Sequence, residues 1–310
     1  MHTVRTLADC IRYGAARFRA AGLLIGHSAD NAVDEARSLA LHALHLPAES
    51  PAVFAGARLL DAEIDAVLAL FQRRIDERIP AAYLIGRARF AGLTLKSDAR
   101  ALVPRSPIAE LIEQGFQPWL GERQVRRALD VCTGGGSIAI AMAVHQPGWQ
   151  VDALDLSPEA LSLAQENRAA LGLQDRLRLL ESDLFAALGD ERYELIVSNP
   201  PYITSAEYAA MPQEYAHEPK LGLESGADGC DATLRILADA PRFLTEDGLL
   251  IVEVGEAERA LRRLLPALPM QWIEFSVGQM GVFALEASAL RAHQDSLRAL
   301  CQARGLEVLC

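Results

Sequence analysis

Four consecutive residues, Asn199-Pro200-Pro201-Tyr202, carry groups that could act together on a planar amino group. Asn199 brings a side-chain carbonyl, Pro200 a backbone carbonyl with no N–H of its own to compete, and Tyr202 an aromatic face. Two acceptors can take both hydrogens of an –NH₂ while a ring holds its plane. The run before them, Glu194–Ser198, is short, apolar and rich in Ile, Leu and Val, the pattern of a strand buried on both faces of a parallel sheet. Pro200 and Pro201 cannot extend a ladder, and Pro200 keeps Asn199 out of helical angles, so the chain must leave the sheet at the strand's carboxyl end. Open α/β sheets bind ligands on that side. Asn-Pro-Pro alone reads equally well as the start of a loop, and its neighbours decide between the two.

The second informative stretch is Ala128–Ala141, ALDVCTGGGSIAIA, which has the order strand, glycine-dense turn, helix of small apolar residues. Gly134, Gly135 and Gly136 permit positive φ and the close approach of a ligand. The spacing is neither the GxGxxG dinucleotide pattern nor a phosphate-cradling P-loop. Next, Gln150–Leu154 alternates as a second strand and ends in Asp155-Leu156-Ser157-Pro158. An acid there, about 20 residues past a glycine turn, is where doubly wound folds hydrogen-bond a ribose diol. Asp155 could instead cap the helix starting at Pro158, a role open to Ser157 as well. Turn and acid occurring together favour the ribose. A third strand, Leu177–Leu180, leads into Ser182-Asp183-Leu184-Phe185, which puts Asp183 where it could accept from the exocyclic amine of a purine. Arg105 stands between two prolines in Leu102–Pro107, a rigid connector or lid, and reads either as a site residue or as a solvated side chain. His217 lies among acids in the irregular stretch Ile203–Gly229; with no second His at ligand spacing, structuring the loop outweighs binding a metal or acting as a base.

The elements that must position these groups follow from periodicity. Apolar residues recur at helical steps over Thr6–Leu46 and Asp61–Arg78, with a turn at Pro47–Pro51 and a stop at Pro80. Tyr83–Lys96 reads as a short hairpin, and Ile108–Phe116 as an amphipathic helix. Beyond the long loop come a helix over Cys230–Pro241, a strand at Gly248–Glu253 and a helix at Glu256–Leu265. The strands Gln271–Ser276 and Gly281–Leu285, joined by a short turn at Gly278–Gly281, should be antiparallel neighbours. The organisation expected is a helical unit over 1–82, a hairpin linker over 83–101 and an α/β domain over 102–310. The helical unit is either a partner-recognition module or a structural cap. The tail from Ala287 has helical composition.

Charge sets limits on partners. The 310 residues carry a net charge of −11, and beyond Ile85 there are 21 basic against 31 acidic residues. That balance argues against a nucleic acid gripped through its phosphates and fits a basic protein better. Five scattered cysteines without a CxxC pair indicate neither a disulfide framework nor a zinc site, so the expected setting is the reducing cytoplasm. No run reaches the roughly 18–20 apolar residues of a membrane span.

The combination LDVCTGGGSIAIA, VDALDLSP, SDLF, IVSNPPY and EYAHEPKLGLESGADG, across Tyr83–Glu286, resembles the S-adenosylmethionine-dependent glutamine methyltransferases of the translation apparatus. The glycine turn and NPPY are shared with enzymes that methylate amines on DNA and RNA, whereas His217–Gly229 resembles the protein-glutamine branch. Val103–Ile108 and Cys132 look like the PrmB type, which acts on the third protein of the large ribosomal subunit; the release-factor type shows a Pro-Arg-Pro-Asp-Thr-Glu loop and a glycine in place of the cysteine. The resemblance implies a seven-stranded class I, Rossmann-like methyltransferase sheet with an N-terminal helical substrate domain. It places S-adenosylmethionine on Cys132, Thr133, Gly134, Gly135, Gly136, Asp155, Leu156, Asp183, Leu184 and Asn199. The substrate would meet Asn199, Pro200, Pro201, Tyr202 and Arg105, and no metal is expected. The C-terminal extension departs from the family pattern. Two other readings are an adenine-N6 methyltransferase using NPPY on a flipped base, which the acidic charge opposes, and a non-catalytic ribosome assembly factor, which an intact NPPY opposes.

Overall fold

The computed structural model describes residues 5–26, 31–50, 52–276 and 278–309. Pro51, the expected end of the first turn, and Cys310, the last of the five thiols, lie outside them. Helices α1 (Leu7–Ala20), α2 (Ala32–Ala43) and α3 (Asp61–Glu77) form where the apolar period places them. Thr6 and Asp9 make a capping box on α1, and Asn31 accepts from Val33 and Asp34 at the start of α2, which satisfies N–H groups that have no partner inside the helix. Their apolar stripes close on a core of their own, in which Phe18 meets Phe71 edge-on with 5.3 Å between ring centres. Pro80 ends the α3 pattern yet caps one further short helix, α4 (Ala81–Ile85), where a missing N–H has no helical bond to lose.

Inside this bundle the Arg74 side chain is fully buried, with Nε donating to Glu35 at 2.9 Å and Nη2 to the Leu24 carbonyl at 3.0 Å. A carboxylate from far along the chain joins them. Glu214 accepts from the Leu24 N–H at 3.1 Å and from Arg78 at 3.3 Å, and stands 3.7 Å from Arg74.

The hairpin is shorter than the expected Tyr83–Lys96, since Tyr83–Ile85 belong to α4; it consists of β1 (Arg87–Phe90) and β2 (Leu93–Lys96), turning through Ala91 and Gly92 at φ 45° and 73°. The helix after the two prolines, α5 (Ile108–Glu113), stops short of Phe116 because Gly115 and Phe116 both take positive φ, 63° and 57°. The remaining elements are β3 (Arg127–Val131), α6 (Ser137–His145), β4 (Gln150–Asp155), α7 (Pro158–Ala170), β5 (Leu177–Glu181), β6 (Tyr193–Ser198), α8 (Ser205–Ala209), α9 (Asp231–Phe243), β7 (Leu244–Glu253), α10 (Glu258–Leu264), β8 (Gln271–Phe275), β9 (Gly278–Glu286) and α11 (Ala287–Ala303). Pro241 does not end α9 but sits in its last turn, and the chain passes directly into β7.

Seven strands make one sheet in the order β5-β4-β3-β6-β7-β9-β8. The first five are parallel and β9 runs antiparallel to both neighbours. The last two strands are antiparallel neighbours as expected, but Gly278–Gly281 is not their turn: Gly278 already pairs with Phe275. Successive residues of a strand point to opposite faces, so Leu195 and Val197 join the core under α5 and α6 while Ile196 joins the one under α9 and α11. The chain runs from β3 outward through β4 to β5, then returns to β6 on the other side of β3. That reversal opens a crevice at the carboxyl ends of the strands. Among the described residues no helix is long and apolar enough to cross a membrane, and no group of three or more His, Cys, Asp or Glu could hold a metal.

Candidate active site

A cavity of about 280 Å³ lies at that crevice, near the lower end of small-molecule sites, about 300 Å³. It is bordered by Arg105, Cys132, Thr133, Gly134, Gly135, Asp155, Leu156, Asp183, Leu184, Asn199, Pro201 and Tyr202. Of the site residues expected from the sequence, Gly136 and Pro200 do not border it. Gly136 has a different reason to be glycine: at φ 85° it begins α6, and a Cβ there would lie 3.0 Å from both Ala164 and Ile140. It serves the packing of α6 on α7. Pro200 is buried, so only its carbonyl is in question.

The glycine turn is folded by acids. Asp130 is fully buried at the end of β3; its Oδ2 accepts from the Thr133 hydroxyl at 2.5 Å and from the Ala139 N–H at 3.1 Å. Asp155 accepts from the Gly134 N–H at 2.7 Å and from the Ser157 N–H at 2.9 Å, tying the turn to the end of β4. Ser157, not Asp155, caps α7. Burial raises the Asp155 carboxyl, and the backbone N–H groups of Ser157, Gly134 and Leu156 pull it back. Its two oxygens have about four acceptor sites, so roughly half remain for a diol. Cys132 holds φ at 63°, unusual for a residue with a Cβ, and burial followed by the charges of Asp155 and Asp130 keeps its thiol protonated.

Asp183 is not free. Arg235 of α9 forks onto it, Nη1 to Oδ1 at 2.9 Å and Nη2 to Oδ2 at 2.8 Å, and itself borders the cavity. Each Asp183 oxygen keeps a lone pair for an amine. A carboxylate with acceptor capacity to spare at the end of β4 and another at the end of β5 fit the diol and amine donors of an adenosyl group.

The other end of the cavity is built around Tyr202. Ser198 clamps β6 to β3 through the Val131 carbonyl at 2.7 Å, and the chain then turns out through Asn199. Among the described residues neither the Asn199 side chain nor the Pro200 carbonyl has a hydrogen-bond partner. The Tyr202 hydroxyl donates to Glu253 at 3.0 Å, and the second oxygen of Glu253 accepts from the Ser106 hydroxyl at 2.5 Å. Burial carries the Glu253 carboxyl up to about 7, and burial with the Glu253 charge pushes the Tyr202 hydroxyl up, so Tyr202 is a neutral donor. A Cβ on Gly255 would come within 2.6 Å of the Tyr202 ring, and one on Gly229 within 2.2 Å of the Tyr202 carbonyl oxygen. The glycines therefore admit Tyr202 to its place. Sequence reasoning passed over Glu253, although it ends an apolar strand as Asp155 does; nothing in the sequence singles out Ser106 or Arg235.

Arg105 is not a solvated side chain: it forks onto Glu218 at 2.6 and 2.7 Å, and Glu218 also accepts from the Val103 N–H at 3.2 Å. His217 bonds the Glu77 carbonyl of α3 at 2.8 Å, a structuring contact. Between these two anchors and Glu214, the segment that presents Met211 and Tyr215 to the cavity is fixed to the bundle on one side and to the proline loop on the other.

A family model described as the methyltransferase small domain matches residues 116–226. A protein named ribosomal protein uL3 glutamine methyltransferase from Xanthomonas campestris pv. campestris is 60% identical over 301 residues, 97% of each chain. Relatives of the same name from Xylella fastidiosa and Bordetella pertussis are 59% and 48% identical, over 97% and 87% of this chain and 96% and 91% of their own. The chain belongs to the ribosomal protein uL3 glutamine methyltransferase family. Among solved structures, a methyltransferase from Pyrococcus furiosus matches with a TM-score of 0.46 at 20% identity, over 63% of this chain and 89% of its own. Similarity to the uL3 glutamine methyltransferases also bears on the C-terminal segment. The 301 residues matched in the Xanthomonas relative leave nine of 310 unmatched, fewer than the 17 of α11, so at least part of the C-terminal helix is shared with that relative.

Proposed function

We propose that this protein transfers a methyl group from S-adenosylmethionine to the side-chain amide nitrogen of a glutamine in ribosomal protein uL3. The observation that carries the reading is the pair of unpartnered acceptors at Asn199 and Pro200, beside a Tyr202 held in place by Glu253. Asp155 would hold the ribose and Asp183 the adenine amine, with Cys132–Gly135, Leu156 and Leu184 forming the walls. When bound, S-adenosylmethionine supplies an electrophilic methyl on a sulfonium. An amide nitrogen is a poor nucleophile because its lone pair is delocalised into its carbonyl. The Asn199 and Pro200 carbonyls accept its two hydrogens, aim the lone pair and stabilise the positive charge as it forms. Tyr202 holds the amide plane. An N-alkylated amide nitrogen is strongly acidic and sheds its proton afterwards, so no base is needed first.

Residues 1–82 would recognise the protein substrate, with 83–101 as the link to the catalytic part; the exposed Val53, Phe54 and Leu60 of the helical unit support this. The acidic charge supports uptake of free uL3 before assembly, since a ribosome presents phosphate. Labelled methyl transfer to free uL3, assembled large subunits, release factors and nucleic acid, with mass mapping of the product, tests the assignment. Free uL3 is expected to be the best substrate, and faster modification of a release factor would overturn it. Asn199→Ala is expected to keep cofactor affinity and lower turnover by at least ~100-fold. Near-wild-type turnover would remove Asn199 from the mechanism.

A further inference from the structure

The segment after α11 lies along α9 and meets it at residues four apart. Arg304 forks onto Asp228 at 2.9 and 2.7 Å and reaches Asp231 at 2.8 Å. The Glu307 carbonyl accepts from Arg235 Nε at 2.7 Å. The Leu309 N–H donates to the Asp239 carboxylate at 3.1 and 3.2 Å. Asp231, Arg235 and Asp239 form one stripe of the helix, because a four-residue step returns to nearly the same face. Leu306, Val308 and Leu309 pack on the core cluster that α9 covers. Of the three residues in the stripe, only Arg235 also borders the cavity, where its two Nη groups hold Asp183.

Arg235 is therefore gripped from two sides, by a backbone carbonyl at Nε and by a carboxylate at both Nη atoms. The guanidinium is planar and rigid, so fixing Nε fixes the plane in which its fork meets Asp183. The Asp183 side chain is 45% exposed, and an exposed ion pair alone holds a geometry poorly. The bond to Glu307 supplies the missing constraint.

We infer that the C-terminal segment 304–309 is a positioning device for the nucleoside end of the pocket, acting through Arg235 to keep the free lone pairs of Asp183 aimed at the exocyclic amine of the purine. The inference rests on the reading of Asp183 given under the proposed function. Arg235 and Arg304 are positioning residues, and their effect should depend on whether the ligand has an amine to offer.

The test is calorimetric binding of S-adenosylhomocysteine and of S-inosylhomocysteine, which lacks that amine, to the full-length protein, Arg235→Lys and Arg304→Met. Both variants are expected to lose about tenfold for the adenosyl ligand, the scale of one hydrogen bond to a charged group, and under about twofold for the inosyl ligand. Equal losses for both ligands would mean a merely structural role and overturn the inference, as would no loss for either. A wild-type protein that binds the two ligands alike would instead remove the Asp183 reading on which the inference stands. Folding of each variant is checked by its Tm; should Arg304→Met unfold, Arg235→Lys decides alone.

Discussion

Burial carries the Glu253 carboxyl from its ordinary 4.5 to about 7, against the opposing pull of the Ser106 and Tyr202 hydroxyls and the Arg105 charge. A carboxyl raised in this way binds its proton more tightly in the folded chain than in the unfolded one. Its contribution to stability is whole below about 4.5 and is lost as pH rises through about 7. Asp130, also raised to about 7 by burial, acts in the same direction. The Tm of the wild type is therefore expected to fall between about pH 5 and 8 more steeply than that of Glu253→Gln, whose side chain cannot ionise. Scanning fluorimetry at constant ionic strength reads the two slopes; parallel slopes would mean that Glu253 is ionised in the fold throughout. At this scale the sequence was legible where a polar residue closes an apolar strand, as Asp155 and Asn199 do. Arg235 was not, since its partner lies 52 residues away and an arginine on a helix gives no local sign of what it faces.

The connections after β6 and β7 hold Tyr202 between them, and glycine decides whether it fits. Gly255 has φ 46°, where a residue with a Cβ is strained by roughly 1–2 kcal/mol, and an added Cβ would press on the Tyr202 ring. Gly255→Ala is expected to lower the Tm modestly and turnover more than tenfold by displacing the ring, with the affinity for S-adenosylhomocysteine changed less than about twofold, because the proposed purine and ribose partners, Asp183 and Asp155, are not among the atoms that the added Cβ would meet. Single-turnover rates alongside calorimetry would separate these effects, and unchanged turnover would show that the ring position is not needed. The longer strands and helices could be read from periodicity, which records burial; the five-residue α4 and α8 could not, and α8 buries no residue at all. The long loop between Ile203 and Gly229 could not, because its form is set by pairs such as Arg105–Glu218 that join distant parts of the chain. The resemblance marked Gly226–Gly229 without a reason; the Tyr202 carbonyl pressed against Gly229 is one.

Across the molecule, the helical bundle and the sheet are joined by charge as well as by chain. Arg74 is wholly buried between Glu35 and Glu214. Removing one member of a buried pair strands the other, so Arg74→Ala is expected to cost about 3–5 kcal/mol, while Arg74→Met with Glu35→Leu should recover most of it. Urea unfolding monitored by fluorescence gives both values; a loss under about 1 kcal/mol for Arg74→Ala would show that Glu35 is protonated in the fold or finds water. The same contacts bear on how such a protein can be recombined. Glu214 is coded 136 positions after Arg78, yet it completes the bundle, and His217 bonds a carbonyl of α3 beside it. A chimera that exchanged the bundle at the hairpin would leave Glu214 facing a foreign surface. In heredity as in engineering, a new bundle has to arrive with its own version of residues 211–218, so the boundary of the exchangeable module is not a single point on the gene.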